Sequence, residues 1–286
     1  MPTTPKTAFV FAGGGSLGAV QVGMLQALVE YGVAADMVVG SSVGSINGAY
    51  FAGAPSLDGV ARLDRIWRGL RRRDVFPIRW RSLVGYPLKC DFPVNPNGVL
   101  KLAETHLPYR NLEDAKIPVH IVATDVLSGA PVILSEGSAS LAILASTAIP
   151  AAFAPVKHGN SYLFDGAIAS CTPVHVAVEK GATRLIVLPT GFACARETPP
   201  IGVTANALHA LTLLIARQTK SELETLSEKI DFHVAPPLCP LIGSPYDFSH
   251  TGELIDRAYK NTQDWIAKGG LERREIPHEM NAHKHH

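Results

Sequence analysis

The stretch T-A-F-V-F-A-G-G-G-S-L-G, residues 7 to 18, decides the fold reading, together with M-V-V-G-S-S-V-G at residues 37 to 44. Thr7–Ala12 is a short β-branched and aromatic run that stops at Gly13, the pattern of a buried strand. Val20, Met24, Ala27, Leu28 and Tyr31 then recur at helical spacing, and Gly32 closes that helix. Met37–Gly40 is a second short strand, and Val43–Phe51 is a helix entered abruptly from it. A glycine-rich turn between strand and helix therefore occurs twice within forty residues.

Working outward, strands are expected at Ile117–Thr124, Pro131–Leu134, Tyr162–Phe164 and Leu185–Leu188. Helices are expected at Leu141–Ala148, stopped by Pro150, at Thr204–Lys229, and at Ser249–Lys268 before Gly269-Gly270. This alternation predicts an α/β fold, a three-layer sandwich with a mainly parallel central sheet. No repeat or linker-like stretch divides the chain. Residues 7–270 are read as one domain, with 271–286 as a polar tail that contains His278, His283, His285 and His286.

Composition narrows the classes. Of 286 residues, 47% are hydrophobic and 18% charged, which excludes a disordered chain. The net charge of +1 gives no global field for nucleic acid, and none is expected as a partner. Cys90, Cys171, Cys194 and Cys239 are scattered without metal-binding spacing and read as free thiols in a reducing compartment. The uncharged stretches Thr7–Val29 and Gly137–Val156 are interrupted by glycines and glutamines, or by Pro150 and Pro155. They read as core, not as membrane segments or a signal peptide. A cytoplasmic location, at most peripheral to a membrane, is the expectation. One region departs from neutrality. Arg62 to Asp91 holds eight arginines and Lys89 against three aspartates, a local net charge of +6, interleaved with Trp67, Phe76, Trp80 and Tyr86. It reads either as a solvated helix and loop or as a basic aromatic cap that meets anionic lipid headgroups.

Three motifs carry chemistry. Gly13-Gly14-Gly15-Ser16-Leu17-Gly18 satisfies the dinucleotide pattern G-x-G-x-x-G, but no acidic residue ends the second strand, because Asp36 precedes it. What remains is a nest of glycine N–H groups at a helix N-terminus, suited to negative charge. Gly40-Ser41-Ser42-Val43-Gly44 matches G-x-S-x-G between a strand and a helix, which makes Ser42 a candidate nucleophile. Only one strand precedes it, unlike an ordinary α/β-hydrolase, so a histidine partner cannot be assumed. Asp165-Gly166-Ala167 sets a carboxylate at a strand end, where it is either a turn former or a functional acid. His158, His175, His209, His233 and His250 are conceivable third members, and read as helix-end or surface residues.

With these residues in order, the chain resembles the patatin-like phospholipases over roughly residues 7–190. The match comprises G-G-G-S-L-G at 13–18, G-S-S-V-G at 40–44, A-S-T-A-I-P at 145–150 and D-G-A at 165–167. The family's glycine loop usually has arginine where this chain has Leu17. The resemblance implies a patatin-like fold and a Ser–Asp dyad, with Ser42 as nucleophile and Asp165 as its base. It also implies that Gly13, Gly14 and Gly15 supply oxyanion N–H groups, with Gly18, Gly40, Val43, Gly44, Gly166 and Ala167 in support. The expected activity is hydrolysis of lipid or other carboxylic esters, without metal, nucleotide or redox cofactor. The rival readings are a non-lipolytic carboxylesterase or thioesterase, and a non-catalytic lipid-binding protein.

Overall fold

A computed structural model describes residues 5–77, 92–191, 199, 201–226, 230–241 and 245–280. The second half of the basic segment, with Trp80, Tyr86 and Cys90, lies outside the described residues. So do Cys194, the expected helix end at 227–229 and residues 281–286.

The chain runs β1 (Thr7–Phe11), α1 (Gly18–Glu30), β2 (Met37–Ser41), α2 (Val43–Gly53), α3 (Leu57–Gly69), α4 (Arg72–Val75), α5 (Asn97–His106), β3 (Val119–Asp125), β4 (Pro131–Leu134) and α6 (Ala139–Ser146). It continues with β5 (Val156–His158), β6 (Ser161–Asp165), α7 (Ala167–Ser170), α8 (Val174–Glu179), β7 (Arg184–Leu188), α9 (Val203–Leu226), β8 (Asp231–Val234) and α10 (Thr251–Ala267). Among the described residues, eight strands form one sheet in the order β5-β6-β3-β2-β1-β7-β8, with β4 beside β3. β3, β2, β1, β7 and β8 are parallel, whereas β4, β5 and β6 pair antiparallel.

Strict alternation along the central strands explains why they read as unbroken apolar runs. Phe9 and Phe11 of β1, Val38 of β2, Ile121 of β3 and Ile186 of β7 face one core. Ala8, Val10, Met37, Val39, Val122, Leu185 and Val187 face the other. Both faces are covered, as a parallel sheet requires. Residues of α1, α2, α3, α5, α6 and α10 fill the first core; α8, with Leu223 of α9, fills the second. Full burial of Phe9 and Phe11 contributes roughly 1.5–3 kcal/mol each.

The expected elements are present, most of them shifted by one to three residues, because helix and strand ends fray into turns. β5 and β8 were not expected from the sequence: VKH and DFHV are too short and polar to register as apolar runs. Residues 271–280 are not a free tail. Leu271 and Met280 are buried, Ile276 packs on the second core, and Arg274 Nε donates to Asp231 Oδ1 at 2.9 Å. Trp67 is also not a surface residue, being only 3% exposed. Its helix α3 puts Val60, Leu63 and Trp67 inward and leaves Arg62, Arg65 and Arg68 outside.

Helix α1 is buried on nearly every side because α10 covers its outer face. At the crossing, a Cβ on Gly23 would run into Ile255 O and stand 2.7 Å from Tyr259 N, both backbone atoms. Alanine gains about 1 kcal/mol of helix propensity, but overpacking against rigid backbone costs roughly 1–3 kcal/mol. Gly23→Ala is therefore expected to lower the unfolding midpoint by a few degrees in a thermal melt. An unchanged or raised midpoint would show that the two helices can part freely.

Candidate active site

The site is assembled by strand register. β1 and β2 are parallel neighbours with Phe11 opposite Gly40, so the glycine loop after β1 and the serine turn after β2 emerge side by side. On β3, Val122 is opposite Ser41 of β2, and the next residue, Ala123, is opposite Asp165 of β6. Ser42 and Asp165 are thereby delivered to one point. The Ser42 hydroxyl donates to Asp165 Oδ2 at 2.8 Å, and both residues are buried.

Ser42 has φ 52° and ψ −127°, a conformation costing a non-glycine residue roughly 1–3 kcal/mol. The flanking glycines are needed for closeness: a Cβ on Gly40 would run into Gly44 O, and one on Gly44 into Phe11 O. The strain is held by bonds that the sequence did not reveal. Ser42 N–H donates to Ser146 Oγ at 2.9 Å, and the Ser146 hydroxyl donates to Val122 O at 2.6 Å. The same segment fixes the acid, since Asp165 N–H donates to Ala148 O and Gly166 N–H to Ser146 O, each at 3.0 Å. The A-S-T-A-I-P stretch is thus the strut between serine and aspartate.

Asp165 accepts from Ala167 N–H through Oδ1 at 2.8 Å, which leaves Oδ2 for Ser42. Gly166 is required because a Cβ there would collide with Val122 O. Burial pushes the Asp165 carboxyl up to about 6, against the lowering effect of the hydrogen bonds from Ala167 and Ser42. Among the described residues no histidine bonds to either group. His158, His175 and His250 are exposed, while His233 is turned to Arg273 O at 3.1 Å.

In the glycine loop, Gly14 (φ 155°) and Gly15 (φ 60°) both have positive φ. Thr190 and Pro245 O crowd the places where their Cβ atoms would be. Gly13 N–H is already taken by Cys171 O at 2.9 Å, and Gly13 O accepts from Thr190 Oγ1 at 2.6 Å. Among the described residues, no group accepts the Gly14 or Gly15 N–H. A Cβ on Gly18 would stand 2.5 Å from Val43 Cγ2, so that glycine lets α1 and α2 approach. Leu17 is buried in the first core.

Beside Ser42 and Gly15 opens an apolar pocket enclosing about 820 Å³ of space, its open mouth included. Its walls are Val43, Ile46 and Tyr50 on one stripe of α2, Leu63, Ile66 and Trp67 of α3 with Leu70 just after it, and the rings of Phe76, Phe153 and Phe248. The aromatic rings pack on one another, Phe76 with Phe153, Tyr246 and Phe248 at centroid distances near 6 Å. Pro245, Tyr246 and Phe248 come from a region with no motif, so only tertiary structure brings them here.

A strand–serine–helix turn thus stands beside a glycine-rich turn at the carboxyl ends of two parallel strands. The family model described as patatin-like phospholipase matches residues 9–178, and the chain belongs to that family. It is 28% identical over 217 residues to patatin-like phospholipase domain-containing protein 7 of Rattus norvegicus, covering 73% of this chain and 15% of that protein. It is 29% identical over 189 residues to human patatin-like phospholipase domain-containing protein 6, covering 64% of this chain and 13% of that protein. The chain thus spans only a small part of the length of these relatives. Human GIVD cytosolic phospholipase A2 shares the fold, with a TM-score of 0.54 at 11% identity over 94% of this chain and 62% of that one.

The raised pKa of Asp165 has a consequence for stability. A carboxyl held near 6 in the fold, above an ordinary value near 3.8, favours the fold at low pH and disfavours it as pH rises through 6. Asp165→Asn is therefore expected to melt several degrees higher than the parent at pH 8, worth up to about 3 kcal/mol. The advantage should vanish below about pH 4, where the acid is protonated in both the folded and unfolded chain. Equal melting at pH 8 would contradict a desolvated carboxylate.

Proposed function

We propose that this protein is a serine acyl hydrolase that cleaves lipid esters, with Ser42 as nucleophile and Asp165 as its base. The observation that carries the reading is the 2.8 Å Ser42–Asp165 hydrogen bond at the head of an apolar pocket. Ser42 Oγ attacks the ester carbonyl carbon as its proton passes to Asp165 Oδ2. The charge that develops on the carbonyl oxygen is met by the Gly14 and Gly15 N–H groups, while the Gly13 N–H donates to Cys171 O and shapes the loop. Collapse breaks the ester C–O bond, and Asp165 returns the proton to the departing alcohol. Water then attacks the acyl-enzyme, Asp165 takes its proton, and the freed Ser42 oxygen recovers one as the carboxylic acid leaves. A carboxyl near 6 is a stronger base than an ordinary aspartate yet still ionised at neutral pH. The acyl chain lies in the apolar pocket, where its burial contributes about 0.8 kcal/mol per methylene.

A long-chain alkylphosphonate should add once to the wild-type protein and not to Ser42→Ala, read by intact mass. Asp165→Asn should slow labelling roughly 100-fold or more, in line with loss of a general base. The ester hydrolysis rate should climb with pH up to about 6 and then level, as the base ionises. Labelling that persists in Ser42→Ala would sink the assignment.

The membrane side of the reading rests on Arg71, Arg72 and Arg73. These are exposed immediately before Val75 and Phe76, which line the pocket. Among the described residues no helix is long and apolar enough to cross a membrane. We propose that this basic edge seats the pocket on anionic lipid, each cation contributing roughly 1 kcal/mol at low salt. Replacing the three arginines with glutamine should weaken sedimentation with anionic vesicles, most at low ionic strength, and leave hydrolysis of a small soluble ester unchanged. Wild-type protein that ignores such vesicles at low salt would remove the membrane role.

A further inference from the structure

Between the apolar pocket and the glycine loop runs a chain of three buried polar side chains. Trp67 of α3 donates its indole N–H to Asn47 Oδ1 at 2.8 Å. Asn47 of α2 donates both hydrogens of Nδ2, to Gly18 O at 2.9 Å and to Gln21 Oε1 at 2.8 Å. Gln21 of α1 donates both hydrogens of Nε2, to Ala12 O at 2.8 Å and Leu188 O at 2.9 Å. Asn47 and Gln21 are fully buried. An indole N–H can only donate, so Trp67 fixes which way the Asn47 amide points, and Asn47 in turn fixes Gln21. The chain ends on Ala12 and Gly18, the residues on either side of the glycine loop.

Trp67 also stands close to the loop's flank at Gly18 and lines the pocket. Its six-membered ring stands 3.1 Å from where a Cβ on Gly18 would be, and its indole lines the acyl pocket beside Ser42. Phe248 stacks on it at 6.2 Å, and three residues before Phe248, Pro245 O accepts Ser16 N–H at 2.7 Å. The indole is therefore held between the space an acyl chain would fill and the backbone that would meet the oxyanion.

We propose that Trp67 is the specificity-determining residue of this site, acting through Asn47 and Gln21 to position the glycine loop, so that acyl-chain length is read in kcat as well as in KM. The inference rests on the acyl-hydrolase reading above. A chain that reaches Trp67 adds packing contacts to the part of the indole that lines the pocket. With the indole seated, Asn47 Oδ1 keeps its donor and both flanks of the loop stay in place. A chain too short to reach it leaves the loop less well held for the oxyanion formed in both acylation and deacylation. The group addressed is thus a long unbranched acyl chain, whatever alcohol it is esterified to.

The test is a series of p-nitrophenyl esters with acetyl, octanoyl and hexadecanoyl chains, assayed for kcat and KM separately. In the wild type, kcat should rise about tenfold along the series, less than the roughly 100- to 1000-fold effect of deleting an oxyanion donor outright. Trp67→Phe keeps an aromatic wall but leaves Asn47 Oδ1 buried without its donor. It should flatten the rise in kcat while KM still falls with chain length. Val60→Ala, a buried residue of the same helix that neither lines the pocket nor joins the chain, controls for general destabilisation and should keep the rise. A Trp67→Phe variant that keeps the full rise, or a Val60→Ala variant that loses it equally, would overturn the proposal. Should Trp67→Phe not fold, the wild-type series decides: a flat kcat with a falling KM overturns it, and a rising kcat supports it. Failure of the acyl-hydrolase reading itself is distinguishable, since phosphonate labelling would then not depend on Ser42.

Discussion

Adjacent residues on one strand, Val122 and Ala123, carry the pairings that bring Ser42 and Asp165 together. Val122 is opposite Ser41 and Ala123 opposite Asp165. Neighbouring residues of a strand are about 3.3 Å apart, so a slip of one position on either side would separate the two groups or turn one of them away. Ser146 then locks the register, with its hydroxyl donating to Val122 O and accepting the Ser42 N–H. The positive φ of Ser42 can persist because that amide has a fixed acceptor and the turn has no room to relax.

The same closeness sets the chemistry. Asp165 lies in a place with little water, and burial outweighs its two hydrogen bonds to lift the carboxyl to about 6. Desolvation makes it a better proton acceptor and makes the fold less stable at neutral pH, one environment with two opposite effects. Outside the site, the parallel strands are buried on both faces and offer a rigid frame that tolerates this local cost.

The motifs were legible because each answers a steric demand that a sequence displays. Gly40, Gly44 and Gly166 stand where backbone passes too near for a Cβ, and Gly15 where φ is positive. The three-layer order was legible in the alternation of short β-branched runs with longer helical stretches. No periodicity distinguishes a surface histidine from a functional one, and only the structure leaves His158, His175 and His250 exposed and turns His233 to Arg273 O. The basic segment was read by charge, and charge hid its inner face. Trp67 looked like an interfacial ring among arginines, yet α3 turns Val60, Leu63 and Trp67 into the core while the arginines stay outside. Helical spacing held that information, but the run of charge masked it.

By itself the sequence determined the two glycine turns, the order of strands and helices between them, and the identity of a serine and an aspartate set at strand ends. These are local: they follow from which residues can adopt a backbone shape or border a close approach. Only the tertiary structure decided that Ser146 holds the serine turn, that Cys171 takes the Gly13 amide, and that Trp67, Phe153 and Phe248 wall one pocket. Those partners lie far apart along the chain, and their meeting depends on register and layer packing, which no short window of residues encodes.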